Sequence, residues 1–355
     1  MAAKCGVSSY FCHKFWLLKG EKMRFWGRLL IITTAVCSMQ TLYADARLLH
    51  RKDVRAFVQD LVVHDHFQSK QLRTILAAAQ YQPQIIASMD RPYEKKNWDV
   101  YQALFLTPER LNSGLVFWKN NQKVLQQVAK QYGVPPEMIV AILGVETLYG
   151  KRQGDYRVLD ALTTLAFYYP SRAPYFKREL REFLLLCREH SVSPTQYKGS
   201  YAGAMGKPQF MPSSYRTYAV DYQGRGRPDL MSKDQDVIIS IANYFSKHGW
   251  QPKQMVVEPV RVPQQGLKSL VLNSKAPNYS LTQLLHAGVQ PTQRNNSVHP
   301  HEAGVLELMT DKGPEYWMAY PNFYVITRYN TSPQYALVVY LLAQSLRERH
   351  AAMTG

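Results

Sequence analysis

The stretch that most constrains the fold of this chain is VPPEMIVAILGVETLYG, residues 134–150. Pro135 and Pro136 suit the first turn of a helix, where proline loses no hydrogen bond, and Gly150 suits its end. The residues between them predict one helix that is apolar on every side, with Glu146 as the exception. Because a helix without a polar face must be surrounded by protein, we expect this segment to lie inside the molecule.

Glu146 is therefore a carboxylic acid that the sequence places in an apolar environment. Burial raises the pKa of a carboxyl group, which keeps a proton on it near neutral pH and suits it to act as a general acid. A buried glutamate can equally be structural, paired with an arginine or accepting backbone N–H groups. The helix alone leaves both roles open.

The start of the chain is typical of a secretory signal. Three positive charges and a short apolar run at residues 29–36 precede the small-x-small triplet ADA at residues 44–46. We predict that residues 1–46 are a signal segment. The apolar run is short for a membrane span, so we rank a retained anchor helix below a cleaved signal. A lipid anchor at Cys37 also ranks below soluble export, because Val36 fits poorly before a lipidated cysteine.

Export bears on charge and on cysteine chemistry. Residues 1–46 hold six Lys/Arg and two Asp/Glu, so their removal lowers the formal charge from +17 to +13. A basic exported chain suits an anionic polymer or lipid, whereas no zinc-finger, basic-heptad or ribonucleoprotein motif supports nucleic acid. Three of the four cysteines also lie in this segment. The fourth, Cys187, sits in an apolar helical run, where we expect a small buried side chain rather than a nucleophile.

The whole chain has 355 residues and is 46% hydrophobic, which is typical of about two globular domains. The part after residue 46 is predicted to be mainly helical. Apolar spacing and capping residues predict helices at 53–67, from residue 69, at 107–133 as one long helix, at 161–166, at 175–188 and from residue 332. Short β-type runs at 255–257, 260–262 and 270–272 are separated by prolines and a glycine, which predicts a small β-rich insertion.

A second notable stretch is GSYAGAMG, residues 199–206, followed by Gln209. Small residues let a ligand approach the backbone closely, although they more often indicate tight packing. With the Glu146 helix upstream, the chain closely resembles the membrane-bound lytic murein transglycosylase B family, including its soluble periplasmic form. Four motifs in family order carry the resemblance: GVPPEMIVAILGVETLYG at 133–150, GSYAGAMGKPQFMPSSY at 199–215, IANYFSKHGW at 241–250 and YNTSPQYA at 329–336.

The resemblance implies a lysozyme-like catalytic core with a helical N-terminal domain and a small β domain. The expected division is a signal segment at 1–46, a helical N-terminal domain at 47–106, a catalytic core at 107–250, a β-rich domain at 251–304 and a C-terminal part of the core at 305–355. Family members cleave the β-1,4 bond between N-acetylmuramic acid and N-acetylglucosamine without consuming water, which leaves a 1,6-anhydromuramyl end. The implied location is the periplasm, either soluble or anchored to the outer membrane.

The resemblance also implies a set of site residues. The family's catalytic acid falls on Glu146, and its substrate contacts fall on Tyr101, Ser200, Gln209, Tyr244, Tyr329, Asn330 and Tyr335. Their amide, hydroxyl and ring groups suit sugar hydroxyl and acetamido groups. The implied partner is the peptidoglycan glycan strand, with cell-wall synthesis or division proteins as candidate protein partners.

The implied reaction needs one acid rather than the carboxylate pair of ordinary glycosidases. Between residues 199 and 212 the sequence supplies no second carboxylate. The alternatives are a hydrolytic lysozyme-type muramidase, which delivers water to the same bond, and a non-catalytic peptidoglycan-binding envelope protein.

One loop departs from the family pattern. Members with an EF-hand-like calcium loop have oxygen ligands at alternate positions, and here that loop matches residues 221–229 with Asp236 as the closing acid. Arg225 stands at a ligand position and supplies no oxygen, so we expect no calcium cofactor. We further expect Arg225 or Arg227 to pair with Asp221 or Asp236, the alternative being a solvated loop with free arginines.

Overall fold

The computed structural model describes residues 48–90, 96–292 and 300–354. The signal segment expected at residues 1–46 lies outside them. The expected fold class, mainly α with a small sheet, is confirmed. Across the described part of the chain, no helix is both long and apolar enough to span a membrane.

Four helices form the N-terminal region, two of them at the positions predicted from residues 53 and 69. They bury apolar side chains, among them Leu61, Leu72 and Ile85, in the main hydrophobic core. Their bounds are α1 Lys52–Asp65, α2 Ser69–Ala77, α3 Pro83–Met89 and α4 Trp98–Phe105. The N-terminal region is thus packed onto the rest of the molecule rather than separate from it.

The prediction of one long helix over residues 107–133 is wrong, because two helices occupy this range: α5 Pro108–Asn120 and α6 Gln122–Tyr132. Asn121 lies between them with φ −114° and ψ 15°, and its side-chain amide donates to the carbonyl of Phe117 at 3.0 Å. Asparagine competes with helical hydrogen bonding in this way. The two predicted ends are confirmed: Thr107 caps α5, and Gly133 ends α6 with φ 71°.

The helix predicted over residues 134–150 is α7, Pro136–Thr147. Every residue from 138 to 145 is buried, as its apolar sequence predicted, and α7 packs against α5 and the C-terminal helix. It ends earlier than expected. Leu148 and Tyr149 adopt the left-handed conformation at φ 50° and 60°, before Gly150 at φ 89°. Two consecutive non-glycine residues in this conformation are unusual, so the surrounding packing must hold the turn after Glu146 in place.

The core continues through helices that surround α7. They are α8 Val158–Tyr168, α9 Ala173–His190, α10 Pro212–Tyr218 and α11 Asp234–Lys247, with a two-stranded pairing of β1 Tyr156–Arg157 and β2 Lys198–Gly199. Cys187 lies on α9 and is buried, as predicted, and burial raises the pKa of its thiol to about 12.

The β-rich region is an antiparallel five-stranded sheet of order β4-β6-β7-β3-β5. Its strands and two short helices are β3 Val257–Arg261, α12 Gln264–Leu267, β4 Tyr279–Ser280, α13 Leu281–His286, β5 Gln290–Pro291, β6 Glu302–Thr310 and β7 Gly313–Ala319.

The expected limit of the β-rich domain at residue 304 is therefore too early, because the central pair β6 and β7 extends it to residue 319. The sequence prediction missed this hairpin. The predicted run at 270–272 forms no strand, although Leu272 makes an isolated bridge to Val305. One face of the hairpin joins a separate small core, while Leu306, Leu308 and Ala319 join the main core, which fixes the sheet against the helices.

The chain ends with α14 Pro321–Ile326 and α15 Pro333–Thr354. The predicted start at Ser332-Pro333 is confirmed. Helix α15 packs along α7, α5 and α4, and this packing brings its first turn to the end of α7 that carries Glu146.

Candidate functional site

The end of α7 is tied to the small-residue loop at residues 199–206 and its continuation. The Thr147 hydroxyl donates to the carbonyl of Lys207 at 2.7 Å and accepts from the backbone N–H of Gly150 at 2.9 Å. The neighbouring Glu146 is thereby held at the junction of α7 with the loop.

Glu146 is half-buried, so protein surrounds most of the residue while part of it remains accessible. Burial raises the pKa of Glu146 from 4.5 to about 7, and a hydrogen bond from Tyr335 opposes this rise. Within the described ranges, no second aspartate or glutamate is among the groups that perturb this pKa. Near neutral pH the group is therefore present in both its protonated and its ionised forms, as an acid that later acts as a base requires.

Tyr335 is the nearest partner of this carboxyl group. It lies in the first turn of α15, is buried, and donates its hydroxyl to Oε1 of Glu146. Burial, followed by the nearby Glu146, raises the pKa of Tyr335 well above its ordinary value. Its hydroxyl therefore stays protonated and stabilises the ionised form of Glu146.

Aromatic rings form one wall beside Glu146. The rings of Tyr244 and Tyr329 lie 4.9 Å apart, and the ring of Phe210 lies 5.4 Å and 5.7 Å from them, measured between centroids. The Tyr244 hydroxyl donates to the carbonyl of Arg328, and the Tyr329 hydroxyl donates to that of Pro208. The structure thus brings both tyrosines near Glu146. Burial raises the pKa of each, and the charge of Glu146 adds to the rise.

Tyr101 lies on α4 and is 2% exposed, with its ring 6.4 Å from that of Trp98. Tyr101 is also near enough to Tyr335 to contribute to the high pKa of that hydroxyl. It therefore lies near Tyr335, and the rings that it contacts are those of Trp98 and Phe105 on the same helix.

Gln209 is the polar residue whose side chain the loop orients most firmly. Its backbone adopts φ 51°, and its Nε2 donates to the carbonyls of Gln153 and Gly206 at 3.0 Å and 2.9 Å. These bonds leave Oε1 as the atom of the amide that can accept a hydrogen bond from a ligand.

The described hydrogen bonds of Ser200 and Asn330 stay within their own turns. The Ser200 hydroxyl accepts from the backbone N–H groups of Ala202 and Ala204, and the Asn330 carbonyl oxygen accepts from that of Ser332. These bonds shape the loop and the start of α15.

Sequence reasoning missed two residues of this region. Phe210 lies in a motif that the sequence displayed, yet its ring was not assigned a place between Tyr244 and Tyr329. Arg110 carried no signal at all, because a single arginine in a helix usually faces solvent. In the structure Arg110 is buried, and its Nε donates to the carbonyl of Gly144 at 2.8 Å, two residues before Glu146.

Backbone N–H groups of the loop at residues 221–229 donate to the carboxylate of Asp221. Asp221 accepts hydrogen bonds from the backbone N–H groups of Gln223 and Arg225 at 2.9 Å and 2.7 Å, and more weakly from that of Arg227. Across residues 48–90, 96–292 and 300–354, no group of three or more His, Cys, Asp or Glu is placed to hold a metal ion.

The expected pairing of Arg225 or Arg227 with Asp221 or Asp236 is wrong. The two Asp236 oxygens accept instead from the backbone N–H groups of Tyr222 and Asp229, at 2.9 Å and 2.8 Å. Backbone N–H groups of the loop are closer and fixed by the chain, so they satisfy these carboxylates without the flexible guanidinium groups.

Comparison with known proteins gives a consistent result. Residues 50–344 match the family described as "Transglycosylase SLT domain". The chain is 40% identical over 304 residues to membrane-bound lytic murein transglycosylase B of Escherichia coli (strain K12). The matched segment covers 83% of this chain and 82% of that protein.

Solved structures agree. The E. coli lytic transglycosylase Slt35 in complex with calcium is 41% identical, with a TM-score of 0.75 over 84% of this chain and 93% of that one. SltB3 from Pseudomonas aeruginosa in complex with NAG-NAM-pentapeptide is 29% identical, with a TM-score of 0.71 over 82% of this chain and 78% of that one.

Proposed function

Because the chain belongs to the lytic murein transglycosylase family, we propose that Glu146 is the acid with which it cleaves peptidoglycan. The enzyme acts on the MurNAc-β-1,4-GlcNAc bond and leaves 1,6-anhydromuramyl ends. The observation that carries the residue assignment is the half-buried carboxyl group of Glu146 at the end of α7, whose pKa burial raises to about 7.

The reaction can proceed in two steps that use the same group. Protonated Glu146 donates its proton to the glycosidic oxygen, and the bond to the anomeric carbon breaks. The substrate's own acetamido group stabilises the positive anomeric carbon, as in substrate-assisted glycosidases, so no second carboxylate is required. Ionised Glu146, stabilised by the Tyr335 hydroxyl, then takes the proton from the muramyl C6 hydroxyl, which closes the anhydro ring.

The other residues of the site hold the glycan in this reaction. Gln209 Oε1 is oriented to accept from a sugar hydroxyl or acetamido N–H. The half-buried ring of Tyr329 is proposed to contact a sugar face, and the buried rings of Tyr244 and Phe210 pack behind it. Tyr101 lies near Tyr335, while Ser200 and Asn330 shape the turns at residues 200–204 and 330–332.

Product analysis tests the reaction class. We expect purified protein acting on sacculi to release muropeptides that mass spectrometry shows to be lighter by one water than hydrolytic products. Reducing-end muropeptides as the main product would identify a hydrolytic muramidase instead. Binding without any release would identify a non-catalytic peptidoglycan-binding protein.

The Tyr335 hydroxyl allows a test through pH. The first step needs protonated Glu146, so turnover should fall as pH rises through about 7. Tyr335→Phe removes the hydrogen bond that stabilises the ionised form, so the pKa of Glu146 rises and the high-pH limb of the kcat/KM profile moves to higher pH. Tyr340→Phe, a change to a half-buried tyrosine of the same helix, should leave the limb in place. A limb that stays fixed or moves to lower pH in Tyr335→Phe contradicts the assignment.

Two relatives bear on where this protein works and on what it binds. Among them are a protein described as membrane-bound and another described as in complex with NAG-NAM-pentapeptide. We propose that this enzyme works in the periplasm, as a soluble or outer-membrane-anchored protein, on glycan strands that carry peptide stems. Cell-wall synthesis or division proteins are its proposed protein partners.

We also propose that the loop at 221–229 binds no calcium tightly, although a solved relative is described as in complex with calcium. The reason is that Arg225 supplies no oxygen at a ligand position, while backbone N–H groups compete for the oxygens of Asp221 and Asp236. The melting temperature should be the same in micromolar free calcium as in chelator. A ligand that binds only the folded state must raise the melting temperature. At a free concentration of a hundred times Kd, it adds about 2.7 kcal/mol to the free energy of unfolding. A clear rise with calcium but not with magnesium contradicts the proposal.

A further inference from the structure

A cleft on the far side of α7 takes no part in the reaction proposed at Glu146. It has a volume of about 570 Å³ and lies between the first turn of α7, the strands β3 and β7, and α15. Glu137 lines it, nine positions before Glu146 on the same helix. Nine positions are about two and a half helical turns, so the two side chains leave α7 in opposite directions. The cleft is therefore separate from the site around Glu146.

The walls of this cleft combine aromatic rings with amide groups. Trp250, Trp317 and Tyr340 supply the rings, and Gln254 and Gln344 supply the amides. Trp317 and Tyr340 are only half-buried, so part of each remains accessible. Ligand pockets with rings and a few polar groups suit sugars, since rings cover their apolar faces while amides both donate and accept.

The formal charges around the cleft balance. Two carboxyl groups, those of Glu137 and Glu258, and two cations, Lys253 and Arg347, line it. Burial raises the pKa of Glu137, and Glu258 is buried with a hydrogen bond from the Tyr320 hydroxyl at 2.5 Å. Balanced charges give no net attraction for a polyanion or a polycation, so they favour a neutral ligand.

Two polar atoms of the cleft residues lack a hydrogen-bond partner: the donor Nε1 of Trp317 and the acceptor Oε1 of Gln254, both covered from water. A buried polar group without a hydrogen-bond partner raises the free energy of the folded protein. A ligand that pairs it would therefore bind more tightly. An acetamido group is the complement, because its carbonyl accepts and its N–H donates. A ligand that reaches the two atoms would gain both bonds.

The cleft also continues beyond a single sugar ring. Pro259 and Trp317 line a second, shallower cleft of about 390 Å³ between β3 and β7. A linear polymer can therefore extend along the sheet from the first cleft into the second.

We propose that this cleft is a second binding site, which holds a neutral acetamido sugar of the glycan strand away from the centre that cleaves it. The identity of the polymer rests on the proposed function. Glu137 and Glu146 lie about 14 Å apart along the axis of α7, so a strand held here stays close to the reacting centre between cleavages. The site would keep the enzyme on insoluble peptidoglycan.

Titration calorimetry with tri-N-acetylchitotriose tests this site directly. The full chain carrying Glu146→Gln binds without turnover, and we expect two sugars per chain. Gln344→Trp fills the cleft from a half-exposed position of α15 and should leave one sugar per chain. Gln254→Ala should weaken the same site about tenfold, which corresponds to one lost hydrogen bond. Gln209→Ala, the matched control, should weaken only the site beside Glu146.

One sugar per chain, or two sugars whose binding neither cleft variant changes, overturns this inference. Circular dichroism and melting temperature confirm that each variant is folded. Turnover separates this inference from the proposed function. Two-site binding by Glu146→Gln, when the unmutated protein releases no anhydro ends, overturns the proposed function and supports the second site. Normal turnover with one-site binding overturns the second site alone.

Discussion

Glu146→Gln should reduce the release of anhydromuropeptides by at least about a thousandfold while the fold and glycan binding persist. The amide is nearly isosteric with the carboxyl group and can still accept the Tyr335 hydrogen bond, but it can neither donate the proton of the first step nor accept that of the second. Release is measured by mass spectrometry on sacculi, and binding by calorimetry. Glu109→Gln, an exposed glutamate in the first turn of α5, should keep full activity. Near-normal release by folded Glu146→Gln protein contradicts the assignment.

The same variant should change stability in a pH-dependent way. Glu146 has a pKa of about 7 in the folded protein against an ordinary 4.5, so the folded state binds the proton more tightly than the unfolded state. The stability linked to this group is fully present below pH 4.5 and is lost as pH rises through about 7. Glu146→Gln does not titrate, so its stability relative to the parent should rise over this window by at most about 3 kcal/mol. A difference that stays flat between pH 5 and pH 8 contradicts a buried, ionisable Glu146.

The second large effect is expected at Arg110. Its guanidinium donates to three backbone carbonyls: those of Leu104 and Phe105 at 2.9 Å and 2.8 Å, and that of Gly144 at 2.8 Å. These bonds join the end of α4, which carries Tyr101, to α7, which carries Glu146. Burial lowers the pKa of Arg110, yet the carbonyls compensate the buried charge. Arg110→Met should cost about 3 kcal/mol or more, because one buried and two partly buried acceptors lose a charged donor together.

Denaturant unfolding measures that cost. Arg55→Met is the control, since Arg55 is exposed and donates to a single carbonyl, that of His50. Arg110 is not among the groups that shift the pKa of Glu146, so the pH profile of the surviving activity should keep its position while KM rises. A loss below about 1 kcal/mol, close to that of an exposed pair, would show that the three bonds are weak.

The sequence predicted well those features that depend on neighbouring residues. The run at residues 138–145 is apolar on every side of a helix, so it has no polar face that could lie in solvent. A buried helix with Glu146 near its end could therefore be predicted from its composition. Thr107-Pro108 and Gly133 fixed two helix boundaries because capping is local. The set of site residues came from a family resemblance rather than from spacing, since twenty-four tyrosines give no single one a role.

The failures also have physical causes. A single asparagine divided the predicted helix at residue 121, because its side chain captured a backbone carbonyl. The β6–β7 hairpin escaped prediction, because apolar residues that contact two different cores on opposite faces give no alternation of polar and apolar positions. The arginines of the 221–229 loop lost their expected partners to backbone N–H groups, whose positions follow only from the folded turn.

The amino-acid sequence by itself determined that a carboxylic acid lies buried near the end of a central helix. The tertiary structure decided how that acid behaves. Tyr335, 189 positions away, donates the hydrogen bond that moderates its pKa, and the aromatic wall joins Phe210 to Tyr244 and Tyr329 from different parts of the chain. Desolvation and hydrogen bonding depend on every group packed around the carboxyl, and most of those groups are distant in sequence. Local patterns therefore predicted where Glu146 would lie, and long-range packing set its chemistry.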